Sequence, residues 1–592
     1  MEVKERIEKL RELMKKNKMD AYIIPSFDSH HSEYVTDYFK CRQWISGFTG
    51  SAGTVVITLK EAGLWTDGRY YIQAERELSG SGIILFKMAA PGTPTYTNWL
   101  NSTLPKGSTI GFDGNVFTID MIKEMEETFK IKNISLKMDL DLIGMLWKDR
   151  PSLPSSHVFI HETKYCGKSR TEKFNEVRTE MKSKEADYYL LTSLDDIAWL
   201  LNIRGNDVPN NPVVMSNVIL SLNNCYLFID DSKITKEVKT ELETDGIEIK
   251  AYTETADFLK MFNSSDTVLY DSSMTNAYLY NAINHNVTRA EYPNVTSKLK
   301  SVKNKTELEN LRQCQILDGA AMVKFIKWLK TSPSKEQITE ISLSDELEKL
   351  RIKNPLCVGT SFDTIAAYKD HAAMMHYKAS AKSQYALKNE SLLLVDSGGQ
   401  YFKGTTDITR TIVLGKLTDE EKRDFTLVLK CHIALDTTKF LYGATGSNLD
   451  AIARQPVWKY GIDYKCGTGH GVGFFLNVHE GPQRLSPIPN TTILEESMIL
   501  TNEPGIYREN KHGIRTENMM VVVKDEETEF GQFMKFEAIT YCPIDLDGID
   551  KTLLTQDEIN WLNNYHKNVY DKLSPYLNEE EKDWLKKETR YV

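Results

Sequence analysis

SLLLVDSGGQYFKGTTDITRTIVL, residues 391–414, sets two aspartates where a sheet core is expected. Ser391–Val395 is an unbroken apolar run, and Thr405–Leu414 is rich in β-branched residues. Both read as strands, and Ser397-Gly398-Gly399 reads as the turn of a hairpin between them. Asp396 ends the first strand and Asp407 lies in the second. A carboxylate at the end of a buried strand is costly unless something neutralises it. Two facing carboxylates repel unless they share a proton or a cation. An aspartate in a turn also commonly caps the backbone, so the pair alone leaves both readings open.

Moving downstream, CGTGHGVGFFLNVHEGP spans residues 466–482. Its glycines do not form the G-x-x-x-x-G-K-[ST] phosphate loop, and no lysine follows them. A Gly-rich stretch around His470 instead permits close backbone approach to something bulky or charged. Neither His161-Glu162 nor His479-Glu480 continues into H-E-x-x-H, which excludes a thermolysin-like zinc site. ILTNEPGIY (499–507) and GIRTEN (513–518) then add Glu503, closing an apolar run, and Glu517, in a strand-like segment. Singly, each is an ordinary acid at a loop edge. Together, four acids and one histidine stand on separate strands of one region. Four carboxylates carry −4 and two divalent ions carry +4, so a dinuclear cage would be neutral. Hard oxygen donors with one imidazole suit Mn²⁺, Co²⁺ or Zn²⁺ better than a thiolate site does. Paired divalent ions make water nucleophilic near neutral pH and polarise carbonyl groups.

Upstream the chain repeats itself. LRELMKKNKMDAYIIPSFD (10–28) aligns without a gap on VRTEMKSKEADYYLLTSLD (177–195), with seven identities that include Arg11/Arg178, Asp20/Asp187 and Tyr22/Tyr189. Each copy reads as an amphipathic helix, a short apolar strand and a polar turn. The echo predicts two related α/β domains. Between the copies, Thr54–Leu59 reads as a strand, Trp65–Tyr70 as a turn into a helix, and the Pro/Ser-rich Arg150–Ser156 as a loop near a boundary. Further on, Thr306 with Glu309, and Thr418 with Glu421, are capping-box signals for two helices. The end of the chain, including LTQDEINWLNNYHKNVYDKL, reads as charged helix. The expected division is 1–165, 166–300 and 301–592.

At 592 residues the chain exceeds one core, since domains run to about 100–200 residues. Its hydrophobic fraction of 41% and charged fraction of 26% are those of a globular protein. A net charge of −10 argues against nucleic-acid binding, which needs a basic surface, and against a membrane-surface role. The first residues form a charged amphipathic helix without an apolar signal core, and no window approaches the roughly 18 apolar residues of a membrane span. Eight cysteines without CxxC spacing read as reduced thiols. The expectation is a cytoplasmic protein.

The motifs VDSGGQY, GTTDITRT, GTGHGVG, NVHEGP, NEPGIY and GIRTEN closely resemble the pita-bread metallopeptidases, a family that includes methionine aminopeptidases, prolidases and aminopeptidases P. CRQWISGFTGSAGTVVIT (41–58), LWTDGRYYIQAE (64–75) and SLDDIAWLLNIRGNDVPNNPV (193–213) resemble the two N-terminal domains of its long, three-domain, cytosolic type. WLNNYH (561–566) resembles that type's C-terminal extension. The resemblance implies an α/β (α+β) chain, with two related N-terminal α/β domains preceding a pita-bread catalytic domain. It implies that Asp396 chelates one metal, Asp407 and Glu517 bridge two, and His470 and Glu503 complete the second, with Mn²⁺ preferred to Zn²⁺ or Co²⁺. It further implies catalytic roles for His479, Glu503 and His376, and substrate contacts or support of the cage from Arg69, Tyr507 and Arg515. Cys466 departs from the histidine often found at its place, which touches only a secondary contact. His371 and His512 match no motif and read as surface or loop histidines. The activity implied is hydrolysis of the bond before a penultimate proline, by a homodimer acting on peptides. Prolidase action on dipeptides and a non-enzymatic scaffold are the alternatives.

Overall fold

The computed structural model describes residues 1–592 and divides into two compact units. The first comprises Met1–His161 with Lys168–Ser297, and the second comprises Glu162–Gly167 with Lys298–Val592.

The first unit contains two six-stranded sheets of the same topology. In one, strands run in the spatial order Ile84–Lys87, Ala62–Thr66, Thr54–Thr58, Ala21–Ile24, Thr109–Gly111, Ser135–Lys137. In the other the order is Ile247–Ala251, Cys225–Ile229, Ser216–Ser221, Tyr188–Leu191, Thr267–Tyr270, Thr288–Glu291. Each has two antiparallel pairings at its centre flanked by parallel ones. The residues shared by the two sequence copies make the same bonds. Arg11 Nε donates to Thr58 O at 3.0 Å, and Arg178 Nε donates to Ser221 O at 3.0 Å, so each guanidinium caps the end of its neighbouring strand. Asp20 Oδ2 accepts from Thr109 N at 2.8 Å and Asp187 Oδ2 from Thr267 N at 2.9 Å, clipping the parallel strand beside it. Met14 and Met181 are buried, and so are Tyr22 and Tyr189. The echo is thus a repeated folding instruction: helix, clip, strand.

The second unit packs helices on small antiparallel sheets. Leu392–Ser397 is the central strand between Ile365–Tyr368 and Ile408–Val413, pairing Asp396 with Thr409. The expected antiparallel pair forms, but Ser397-Gly398-Gly399 is not its turn. The chain first makes a separate small pairing, Gly399–Tyr401 with Gly404–Thr405, before returning at Ile408. Helices Lys305–Thr331 and Glu340–Ile352 cover this sheet through Met322, Phe325, Leu343 and Leu347 against Leu393, Val395 and Ile412. The first of these helices is capped by Asn304 with Glu307, two residues before the expected Thr306–Glu309 pair. An asparagine serves the N-cap as well as a threonine does, and the sequence offered both. Thr418 and Glu421 do form a capping box, opening Asp419–Asp436. Helix Gln556–Leu573 packs on that helix through Leu562, Tyr565 and Val569. Strands Ile499–Asn502, Asn518–Thr528, Gly531–Ala538 and Lys439–Leu441 make a further sheet.

Hydrogen bonds to charged groups contribute roughly 1.5–3 kcal/mol. Replacing either clipping carboxylate, Asp20→Ala or Asp187→Ala, should therefore lower the stability of the first unit by about that amount and by similar extents. Paired thermal melts check this, and a melting temperature unchanged in either variant would contradict the equivalence of the two clips.

Candidate metal centre

Asp396, Asp407, His470, Glu503 and Glu517 all lie at or near strand ends in the second unit. Asp396 is in Leu392–Ser397, and Asp407 directly precedes Ile408–Val413. His470 is the middle of Gly469–Gly471, Glu503 follows Ile499–Asn502, and Glu517 lies between His512–Arg515 and Asn518–Thr528. Sheet pairing brings these ends together. Donor atoms of Asp407, His470 and Glu517 lie within 4.8 Å of one another. His470 Nε2 is 3.3 Å from Asp407 Oδ2 and 3.4 Å from Glu503 Oε1.

The imidazole is aimed by its other nitrogen. His470 Nδ1 is 2.9 Å from Gly471 O, which leaves Nε2 turned to the acids. His470 N donates to Thr501 Oγ1 at 3.0 Å, and Thr501 Oγ1 lies 3.3 Å from Glu503 Oε1. The glycines of this stretch were expected to make room for a bulky or charged group. They make room for neighbouring strands instead: a Cβ on Gly469 would stand 2.0 Å from the Thr501 carbonyl oxygen. Side-chain bulk there would push His470 away from Glu503.

The acids are held from behind. Thr409 Oγ1 donates to Glu517 Oε2 at 2.7 Å and accepts from Arg515 Nε at 3.1 Å. Arg515 also donates to Asp396 Oδ2 at 2.5 Å and to the Tyr507 hydroxyl at 2.6 Å. Buried Arg410 donates to Glu517 O at 2.6 Å, Asn518 Oδ1 at 2.8 Å, Cys542 O at 3.0 Å and the Tyr565 hydroxyl at 2.8 Å. Through Arg410, helix Gln556–Leu573 reaches the backbone of Glu517. Thr409 and Arg410 stand in the opening motif, yet no pattern in the sequence marks them as supports of Glu517, or Thr409 as its link through Arg515 to Asp396.

Charge repulsion shows in the protonation of the cluster. Burial, then the charges of Asp407 and Glu503 against the opposing Arg515, raises Asp396 to about 6. Burial and the charges of Asp407, Glu503 and Asp396 push Glu517 well above the usual carboxylate range. Burial works against the His470 cation, but the hydrogen bond it donates to Asp407 and the charge of Glu503 prevail and raise it to about 9. In the ion-free cage, burial and repulsion thus favour the protonated form of Glu517, and the neighbouring acids favour the His470 cation. Asp396 Oδ1 is buried without a hydrogen-bond partner. An orphaned carboxylate oxygen among acids whose charges repel one another fits a site that takes up cations, and the oxygen-rich donor set fits divalent ions.

His479 stands edge-on to His470, ring centroids 4.3 Å apart. Its neighbour Glu480 is buried and pairs with Lys300 at 3.3 Å and with Lys303. His376 lies in the loop after Lys369–Ala373, and that loop meets the cage where Arg515 reaches Met375 O at 3.5 Å. Arg69 belongs to the first unit, where Asp67 binds it through two bonds of 2.8 Å. Cys466 has its thiol raised to about 11 by burial and by the charge of Glu503. His371 and His512 are not surface histidines. Both are buried, His371 against Glu340 at 2.9 Å and His512 against Asp424 at 3.0 Å. Each found an acid brought from about 31 or 88 positions away in the chain, a pairing that local sequence does not display.

Residues 309–524 match metallopeptidase family M24, and residues 532–592 match the C-terminal region of peptidase M24. Residues 6–141 and 149–307 each match a creatinase/prolidase N-terminal domain. Xaa-Pro aminopeptidase 1 of Dictyostelium discoideum is 38% identical over 610 residues, covering 99% of this chain and 96% of its own length. A probable Xaa-Pro aminopeptidase P of Talaromyces marneffei is 40% identical over 610 residues, covering 100% of this chain and 92% of its own. The crystal structure of an X-prolyl aminopeptidase from Caenorhabditis elegans, described as a cytosolic enzyme with a di-nuclear active site, has a TM-score of 0.95 at 35% identity and covers 100% of both chains.

Metal binding needs a neutral imidazole and ionised carboxylates, so it must expel the protons held on His470 and Glu517. The sign is fixed: affinity for a divalent ion should fall as pH falls below about 9 and again through about 6. Titration calorimetry of the chelator-stripped protein with Mn²⁺ at pH 7, in buffers of different ionisation enthalpy, should show proton release. A binding heat independent of buffer would contradict it.

Proposed function

The chain belongs to metallopeptidase family M24, and from that premise we propose that it is an aminopeptidase removing the first residue from peptides with proline in second position. The observation that carries the reading is the gathering of Asp407, His470 and Glu517 donor atoms within 4.8 Å, with Glu503 beside His470 and with Asp396 and Glu517 both raised by burial and by their acid neighbours. Full-length similarity to named Xaa-Pro aminopeptidases supports the choice of substrate.

Asp396, Asp407, His470, Glu503 and Glu517 would hold two divalent ions, and Mn²⁺ is proposed from the hard donor set. When bound, such a pair supplies a nucleophilic water near neutral pH and polarises the scissile carbonyl. The remaining steps fall to the chain's own groups. His479, beside His470, and His376, on the neighbouring loop, donate hydrogen bonds to the developing charge and to the peptide. Glu503 carries a proton on its carboxylate to the proline nitrogen, a poor leaving group until protonated. Arg515 keeps Asp396 oriented and Tyr507 braces Arg515. Arg69 is the proposed contact of the N-terminal region with the peptide. The domain division that goes with this reading is 1–165, 166–300 and 301–592, with assembly as a homodimer. Cytoplasm is the proposed location: the C. elegans enzyme is described as cytosolic, and no helix here is long and apolar enough to cross a membrane.

Asp407→Ala, or exhaustive chelation, should abolish release of arginine from a peptide beginning Arg-Pro-Pro, with activity after chelation restored by Mn²⁺. Retained activity would sink the metal mechanism. Comparing Ala-Pro with Ala-Pro-Ala separates the enzyme classes: cleavage of the dipeptide alone would replace this reading with a prolidase.

A further inference from the structure

The loop joining Ile365–Tyr368 to Leu392–Ser397 carries His376, and one buried carboxylate gathers it. Glu340 opens helix Glu340–Ile352 and is 0% exposed. Its Oε1 accepts from Tyr368 N at 2.8 Å and lies 2.9 Å from His371 Nδ1. Its Oε2 accepts from Tyr385 N at 2.8 Å and from the Tyr377 hydroxyl at 3.0 Å. The His371 ring is stacked between two tyrosines, 3.7 Å from Tyr385 and 4.4 Å from Tyr377 between centroids. The strand residue that enters the loop and three points within it thus converge on a single side chain. Tyr377, one of those points, is the residue after His376.

The loop is also pressed from the side of the cage. A Cβ on Gly513 would stand 1.8 Å from Ala372 O, and Arg515 lies 3.5 Å from Met375 O. His376 is therefore flanked by Met375, touching the arginine that holds Asp396, and Tyr377, bound to Glu340. A fully buried carboxylate is retained only where its donors repay its lost hydration. Here every donor belongs to this loop or to the strand residue that opens it.

We propose that Glu340 is a positioning residue for the peptidase reaction: it fixes the loop that presents His376 to the substrate, with His371 and Tyr377 as its intermediaries. The inference rests on the reading of His376 as substrate-facing. The Glu340 side chain bonds only to Tyr368, His371, Tyr377 and Tyr385, so its proposed effect on the reaction is indirect and is read through its coupling to His376.

The experiment is a double-mutant cycle on the metal-loaded full-length protein, assayed with the Arg-Pro-Pro peptide well below the melting temperature of every variant. Glu340→Gln places an amide NH₂ where donors converge. It should lower kcat/KM by about 10- to 100-fold, the scale set by small misplacements of a reacting group, with metal content unchanged. In a His376→Ala background the same substitution should cost almost nothing, because coupled residues are non-additive. Tyr377→Phe removes a single hydroxyl and keeps the stacked ring, so it tests the same coupling in a protein that folds. Its smaller loss should likewise vanish without His376. Additive losses in both pairs, or wild-type kcat/KM in both Glu340→Gln and Tyr377→Phe, overturn the proposal. If His376→Ala alone leaves kcat/KM unchanged, the proposal falls while the aminopeptidase reading stands. No cleavage by the metal-loaded wild type removes both.

Discussion

Four carboxylates confined to a space largely closed to water are the constraint on which the second unit is built. Two unit charges 4 Å apart repel by about 4 kcal/mol at an effective dielectric of 20. A folded protein keeps only about 5–15 kcal/mol in hand. Several such repulsions at once would consume that margin, so the cluster exists only because its charge is offset. In the chain alone the offsets are the Arg515 guanidinium against Asp396, a proton on Glu517 and the imidazolium of His470. The two protons can leave when cations arrive. Arg515 cannot, and it occupies one oxygen of Asp396 while leaving the other without a partner.

That arrangement explains why so much buried polarity surrounds the site. Thr409 ties Glu517 to Arg515, Tyr507 ties Arg515 down, and Arg410 spans from the Glu517 backbone to helix Gln556–Leu573. Half-satisfied polar networks cost more than apolar packing. Each of these groups is therefore bound on more than one side, and the acids stay where strand pairing puts them.

Much of this was legible from residue order. An acid ending a run such as Leu392–Val395 contradicts the burial around it, and such contradictions mark sites. The duplication was legible too, because Arg11/Arg178 and Asp20/Asp187 perform the same backbone task twice. What failed was local inference about distant partners. The glycines around His470 read as space for a ligand, whereas they admit the Thr501 strand. His371 and His512 looked incidental because their acids, Glu340 and Asp424, arrive from elsewhere in the chain. The Ser397–Gly399 turn was misplaced because a second small pairing intervenes before the chain returns. Spacing reveals a residue's own element, and only tertiary packing reveals who faces it.

Arg410 carries a consequence for biosynthesis. Its partners Cys542, Pro543 and Tyr565 follow it by 132, 133 and 155 residues. On the ribosome all five proposed metal ligands emerge before the helix that completes the grip on Glu517. Until Tyr565 leaves the exit tunnel, the guanidinium lacks part of its shell. The full set of Arg410 partners therefore exists only after helix Gln556–Leu573 has been translated.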